Sequence, residues 1–168
     1  MARSEIVASV NYFQYTKSDQ VLNQGQTQSN QDTQLLSYDY NLQFMVGSRY
    51  LIGATYSVQT SGSTVRSKRE SVFPNVGFFY GPLLIEGGPV SKSVEKLNLD
   101  SSEEWRDPTG YYGAITVYHS WANWMLLGFQ FTFVNIEYRK YFDGVNEVAT
   151  QTRKVSVLNP SLRLSFLF

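Results

Sequence analysis

His119 is the one histidine of the sequence, and Ser120 follows it directly. A serine nucleophile needs its base within hydrogen-bond reach, whereas neighbours in a strand point to opposite faces. Trp121 stands two residues after the histidine, so a His-x-Ser spacing that would restore the geometry is absent. With Trp121 and Trp124 close by, His119 reads as part of an aromatic belt, and the expectation is a chain that is not an enzyme. The sequence has no cysteine, which excludes a disulfide framework, a thiolate metal site and a cysteine nucleophile. No residues have metal-ligand spacing and no glycine-rich cradle follows a strand, so neither metal nor cofactor is expected. Fourteen Lys and Arg balance fourteen Asp and Glu, which leaves no net field for nucleic acid.

The charges that remain fall into two kinds. Arg66, Lys68 and Arg69 cluster in one polar link, where they suit phosphate groups or stand as a solvated loop tip. SSEEWRDP, residues 101–108, reads as an acidic solvated loop with Trp105 as its anchor. Glu5, Asp39, Arg49, Glu86 and Arg163 instead sit inside alternating segments, and those segments decide what the charges do.

Residues 35–46, LLSYDYNLQFMV, carry Leu36, Tyr38, Tyr40, Leu42, Phe44 and Val46 on one parity and Ser37, Asp39, Asn41 and Gln43 on the other. Strict period two means a strand, since a helix would mix the two sets around its circumference. After Gly47-Ser48 the pattern resumes with Tyr50, Ile52, Ala54, Tyr56 and Val58, a hairpin signal. The same reading finds a first strand from Glu5 to Tyr15, a fourth from Val72 to Tyr80 and a fifth from Leu83. A sixth runs from Gly110 to Ser120, where either parity is apolar and Ile115 and Val117 are taken as outward. Leu127, Phe129, Phe131 and Phe133 mark a seventh, and Leu158, Leu162, Leu164, Phe166 and Phe168 an eighth. Short turns at 47–48, 81–82 and about 120–123 alternate with long polar links at about 17–33, 61–71, 91–109 and 140–150. GGP at 87–89 reads as a bend in the wall. The chain, 1–168, is therefore expected to be a single domain: all-β, an eight-stranded antiparallel up-and-down barrel closed first strand to last.

Alternation does not say which face is inside. The apolar parity has no Asp, Glu, Lys or Arg in its central stretch, and its aromatic rings would overfill an interior of eight strands. Turned outward they suit lipid, where a Lys or Arg at the midplane costs about 2–4 kcal/mol. The expectation is a transmembrane barrel, because strands in hydrocarbon must pair every backbone group by closing.

The chain ends on LRLSFLF, with Leu162, Leu164, Phe166 and Phe168 at alternate positions. This resembles the C-terminal signature of bacterial outer-membrane β-barrels, and the strand count and link lengths extend the resemblance to the small eight-stranded barrels of the OmpA/OmpX type. Phe166 stands where tyrosine is frequent, and Pro160 lies further back. The resemblance implies an integral outer-membrane location in a Gram-negative bacterium and a last strand that serves as both wall and signal to the barrel-assembly machinery. It also implies contact with lipopolysaccharide, for which Arg66, Lys68 and Arg69 are the candidates. Outer-membrane lipid deacylases of similar size use Ser-His-acid sites with a His-x-Ser spacing, which His119, followed by Ser120 and Trp121, does not match. A start at Met1-Ala2 suits a mature sequence without its signal, and an end on the last strand suggests that no periplasmic domain follows.

Charges enclosed in a narrow lumen must pair. The expectation is therefore an interior polar network of Glu5, Asp39, Arg49, Glu86 and Arg163 with Gln43, Asn41, Gln130 and Asn159, in which Glu5 meets Arg163 across the closure and Arg49 lies level with Glu86. The function this implies is a monomeric, plugged barrel with four extracellular loops and a structural or surface-interaction role, such as membrane integrity or adhesion to a partner the sequence does not name. A narrow channel for small solutes is the alternative, and a lipid-modifying enzyme stands behind it.

Overall fold

The computed structural model describes the backbone of residues 6–23, 27–62, 67–97, 102–148 and 152–168, and the side chains of these outside 15–34. The strands are β1 (Ile6–Asn23), β2 (Thr27–Val46), β3 (Tyr50–Gly62), β4 (Ser67–Tyr80), β5 (Leu83–Pro89), β6 (Lys92–Lys96), β7 (Glu104–Ala122), β8 (Met125–Phe142), β9 (Glu147–Val148) and β10 (Arg153–Leu167). β5 and β6 share one place in the wall between β4 and β7, and β9 is a short addition to β8, so the ring has eight walls. All pairings are antiparallel.

Closure joins β1 to β10, from Val7↔Leu167 to Tyr12↔Leu162. Ile6 and Phe168 exchange both backbone hydrogen bonds, at 3.1 and 2.9 Å. The first and last strands therefore leave no open edge there. The wall strand is interrupted just after GGP: β5 stops at Pro89 and β6 starts at Lys92. A Cβ on Gly88 would lie 1.8 Å from the Pro74 carbonyl oxygen, so β4 and β5 approach to a distance that only glycine permits.

At one end the turns are tight, with Tyr80 paired to Leu83 and Ala122 to Met125. The turn after β2 differs from expectation. Val46 pairs with Tyr50, so 47–49 form the link and Arg49 lies in it, exposed, instead of facing the lumen. A two-residue turn would have paired Val46 with Arg49; the longer link keeps the two apolar residues Val46 and Tyr50 on one face and releases the arginine.

At the other end the long links are largely ladder. β1 and β2 stay paired out to Asn23↔Thr27, through the Gln- and Asn-rich stretch expected to be loop. β4 begins at Ser67, well before Val72, and β7 begins at Glu104. Beyond β8, Asp143 Oδ1 accepts the backbone N–H groups of Asn146 and Val145 at 2.6 and 2.8 Å, which hold its carboxyl below the usual range.

The outer face carries the apolar parity. Val10, Leu42, Phe44, Ile52, Val76, Ile85, Ile115, Val117, Phe129, Phe131 and Leu162 are all exposed, and the phase of β7 is the one with Ile115 and Val117 outward. Outward charges such as Lys68, Glu70, Lys96, Glu137 and Lys154 gather toward the long-hairpin end, leaving an apolar band below them. Aromatic contacts tie the band together, as between Phe129 and Phe131 (5.1 Å, edge to face) and Trp124 and Phe166 (6.1 Å, stacked). Phe129→Arg places a cation in this band, so folding from urea into lipid vesicles should lose about 2–4 kcal/mol. An unchanged unfolding midpoint would contradict the outward assignment.

Candidate functional site: the ion pair inside the barrel

Because the strands alternate, each outward apolar residue sends its neighbours inward, and the lumen is built from the other parity. It is arranged in layers. Nearest the short turns lie Val7, Leu51, Leu84 and Tyr118, with Met45, Phe79, Leu126 and Leu167 against them. The interior is therefore not polar throughout, as the sequence reading had it. A second apolar cluster, Phe73, Tyr112, Ala114, Val134, Ile136 and Tyr138, lines the β4, β7 and β8 side further up. Trp105 belongs to it and is buried; it is anchored as expected, but within β7, which begins at Glu104, and not within a loop.

Between these clusters sits Arg163 on β10, with no solvent exposure. Its Nη1 donates to Glu86 Oε1 at 2.7 Å and to Gln130 Oε1 at 3.0 Å; its Nη2 donates to Gln43 Oε1 at 3.0 Å and to Ser9 Oγ at 3.3 Å. Gln43 Nε2 closes the circuit on Glu86 Oε2 at 3.1 Å and on Asn75 Oδ1 at 3.0 Å. Tyr112 gives its hydroxyl to Glu86 Oε1 at 2.5 Å. The Tyr118 ring lies 5.8 Å from the Arg163 guanidinium carbon. One cation and one carboxylate are thus met by neutral donors and acceptors at every polar atom but Arg163 Nε, which has no partner among the described residues.

The bonds continue outward from this centre. Asn75 donates to Thr55 at 2.6 Å and Thr55 to Asn41 at 2.5 Å, while Gln130 reaches Thr132 at 2.6 Å. Asn11 reaches Asp39 at 3.4 Å, so Asp39 is buried among polar neighbours on the β1–β2 side. Asn159 faces the same lumen but makes no hydrogen bond to the Arg163 group. Glu86, Arg163, Gln43 and Gln130 are therefore brought together, with Arg163 paired to Glu86 where the expectation had Glu5. Arg49 is not, and Glu5 lies outside the described residues. Sequence reading missed Ser9, Asn75, Tyr112 and Tyr118. The phase of β7 contained the signal for the last two: with Ile115 and Val117 outward, even-numbered Tyr112 and Tyr118 have to face in.

Among the phosphate candidates, Lys68 is on the outer face, 2.5 Å from Glu70. Arg69 turns the other way and is only 8% exposed, so it offers nothing to a lipid outside the wall. Arg66 lies outside the described residues. Leu162, Leu164, Phe166 and Phe168 share the outer parity of β10. His119 and Ser120 are both exposed near the short-turn end, and the Ser120 hydroxyl donates to the Ala122 carbonyl at 3.4 Å. Among the described residues no group of His, Cys, Asp and Glu is placed to hold a metal.

Removing one partner of the central pair leaves the other charge buried and alone. Arg163→Ala should therefore lower stability by about 3–5 kcal/mol in vesicle unfolding, and the double change Arg163→Met with Glu86→Leu by clearly less than Arg163→Ala. A double variant as damaged as the single one would contradict the pairing.

No family model matches the sequence, and no curated protein matches it. Among solved structures, the chain is similar to the outer membrane protein OprG from Pseudomonas aeruginosa, with TM-score 0.53 and 12% identity over 99% of this chain and 96% of that one. It also aligns with OmpT, an outer membrane protein of Vibrio cholerae, at TM-score 0.42 and 13% identity; that alignment takes in 100% of this chain but 53% of the other, so the chain spans about half of that protein's length. With the ring closed, the apolar parity outward and an ion pair enclosed, the chain is by fold a small eight-stranded outer-membrane β-barrel.

Proposed function

We propose that the protein is an integral barrel of the bacterial outer membrane whose lumen is blocked and whose work is done at its surface, in membrane integrity or adhesion. The observation that carries this reading is the filled cross-section at Arg163. Side chains from β1, β2, β5 and β8 meet on the guanidinium that β10 carries: Ser9, Gln43, Glu86 and Gln130 all lie within 3.3 Å of it. An eight-stranded wall has room for side chains and little else, and the apolar layer of Val7, Leu51 and Leu84 lies beneath. These two layers support a blocked lumen over a hydrated pore.

The outer face supports two partners. Lys68 and Lys96 stand together above the apolar band beside Glu70 and Val94, a position suited to the phosphates of lipopolysaccharide. The apolar edge of β10, Leu162, Leu164, Phe166 and Phe168, supports recognition by the barrel-assembly machinery, because alternate positions of an unpaired strand present one continuous apolar row. An extracellular partner would meet the long-hairpin end. A non-enzymatic role is favoured because the Ser120 hydroxyl is turned to a backbone carbonyl and not to His119.

Planar-bilayer recording separates the blocked barrel from a channel. The wild-type chain should show no large stable openings, and Arg163→Ala should show openings or a noisier baseline. Large stable openings in the wild type would overturn the blocked reading.

A further inference from the structure

Above the Arg163 layer, at the long-hairpin mouth, the lumen holds a second group of charges that the plug does not use. Arg153 on β10 and Glu95 on β6 form a two-point pair, Nε to Oε2 at 3.1 Å and Nη2 to Oε1 at 2.8 Å. Both carboxylate oxygens are thereby taken. Arg69 on β4 lies directly across the ladder from Glu95 on one side and from Gln59 on the other. It makes no hydrogen bond or ion pair with any described residue, although it is only 8% exposed. Gln59, 5% exposed, has its Nε2 buried with no acceptor. The nearby hydroxyls of Ser71, Ser93 and Tyr138 are engaged with one another at 2.7 Å.

Among the described residues lining this mouth, two guanidinium groups face one carboxylate, that of Glu95. Gln59 Nε2 is buried without an acceptor, and beside it the Arg69 guanidinium makes no hydrogen bond with a described residue. Both border a cavity of about 150 Å³, whose β10 side is Arg153, Val155 and Val157 and which the Glu95 carboxylate, held by Arg153, also lines. Buried donors are ordinarily satisfied. A neutral ligand or water would satisfy Gln59 and leave Arg69 to share Glu95, whose oxygens Arg153 already holds; two guanidinium groups disfavour a cation, and an apolar group would leave the donors unmet. An oxyanion answers all three features, since it accepts several hydrogen bonds, carries the opposite charge and fits the planar donor fork of arginine.

We propose that the mouth of the barrel, between β3, β4 and β10, is a binding site for a small oxyanion, a carboxylate or phosphate group, received by Arg69 and Gln59 with Arg153 behind them. The cavity accepts the anionic group itself and not a nucleotide or an oligosaccharide body. Arg153 is positioned by Glu95 and adds to the field, whereas Arg69 supplies the free donors. The site lies above the Arg163 layer and needs no passage through it, so it does not depend on whether the barrel conducts.

Calorimetric titration of the refolded full-length chain in detergent tests this, with inorganic phosphate in one series and acetate in another, at ionic strength held constant with sodium chloride. The wild type should bind at least one of the two anions saturably with a stoichiometry near one, and the tighter of them names the class. Arg69→Met should weaken that binding at least tenfold, Gln59→Leu several-fold, and Lys154→Gln, next to Arg153 in sequence but on the outer face, less than twofold. Heat-modifiable gel migration confirms that each variant has closed its barrel; should Arg69→Met not close, Gln59→Leu decides. No saturable binding of either anion, an affinity unchanged in the closed Arg69→Met or Gln59→Leu barrel, or an equal loss in Lys154→Gln would overturn the proposal.

Discussion

A strand whose outer side chains suit hydrocarbon has backbone groups that no solvent there will bond, so its wall has to meet itself. The pairing of β1 with β10 is the seam at which this happens, and it is sealed at its end by the reciprocal bonds of Ile6 and Phe168. Closure then dictates the rest. It fixes which parity is enclosed, and an enclosed parity containing Glu86 and Arg163 must hold those charges within reach of each other.

Arg163 stands on the closing strand itself, and Glu86 on a strand across the lumen. Their contact at 2.7 Å spans the barrel and does not follow its circumference. The hydrogen bonds from Gln43, Gln130, Ser9 and Tyr112 complete a cross-brace fed from both halves of the sheet. A brace of this kind specifies register as well as position. Slipping β10 by one residue would turn Arg163 to the lipid and Leu162 into the polar layer, so the ion pair and the lipid face penalise the same error.

Much of this architecture was legible because two alphabets coincide in each strand. Where one parity was aromatic or aliphatic and the other Ser, Asn or Gln, as in β2, β8 and β10, the facing could be read directly. The hidden parts lack that contrast. Residues 17–33 are polar on both parities, so nothing in their types distinguishes a continuing ladder from a loop. Arg49 was misplaced by one residue of turn length, because Val46 pairs with Tyr50. Arg69 was assigned to a loop because β4 was begun at Val72; carried back to Ser67, the same parity that buries Ser71 and Phe73 buries Arg69 as well. Tyrosine gave least guidance, since it serves lipid interface and lumen alike: Tyr111 faces out and Tyr112 bonds Glu86.

The orientation of the wall can be read residue by residue, and the cysteine-free sequence is suited to it. Single cysteines placed in turn from Leu127 to Phe133, carrying a fluorophore and folded into vesicles of brominated lipid, report which side chains touch acyl chains. Quenching should alternate, strong at Leu127, Phe129, Phe131 and Phe133 and weak at Gly128, Gln130 and Thr132. Quenching strongest at the even positions, or uniform along the strand, would contradict the account.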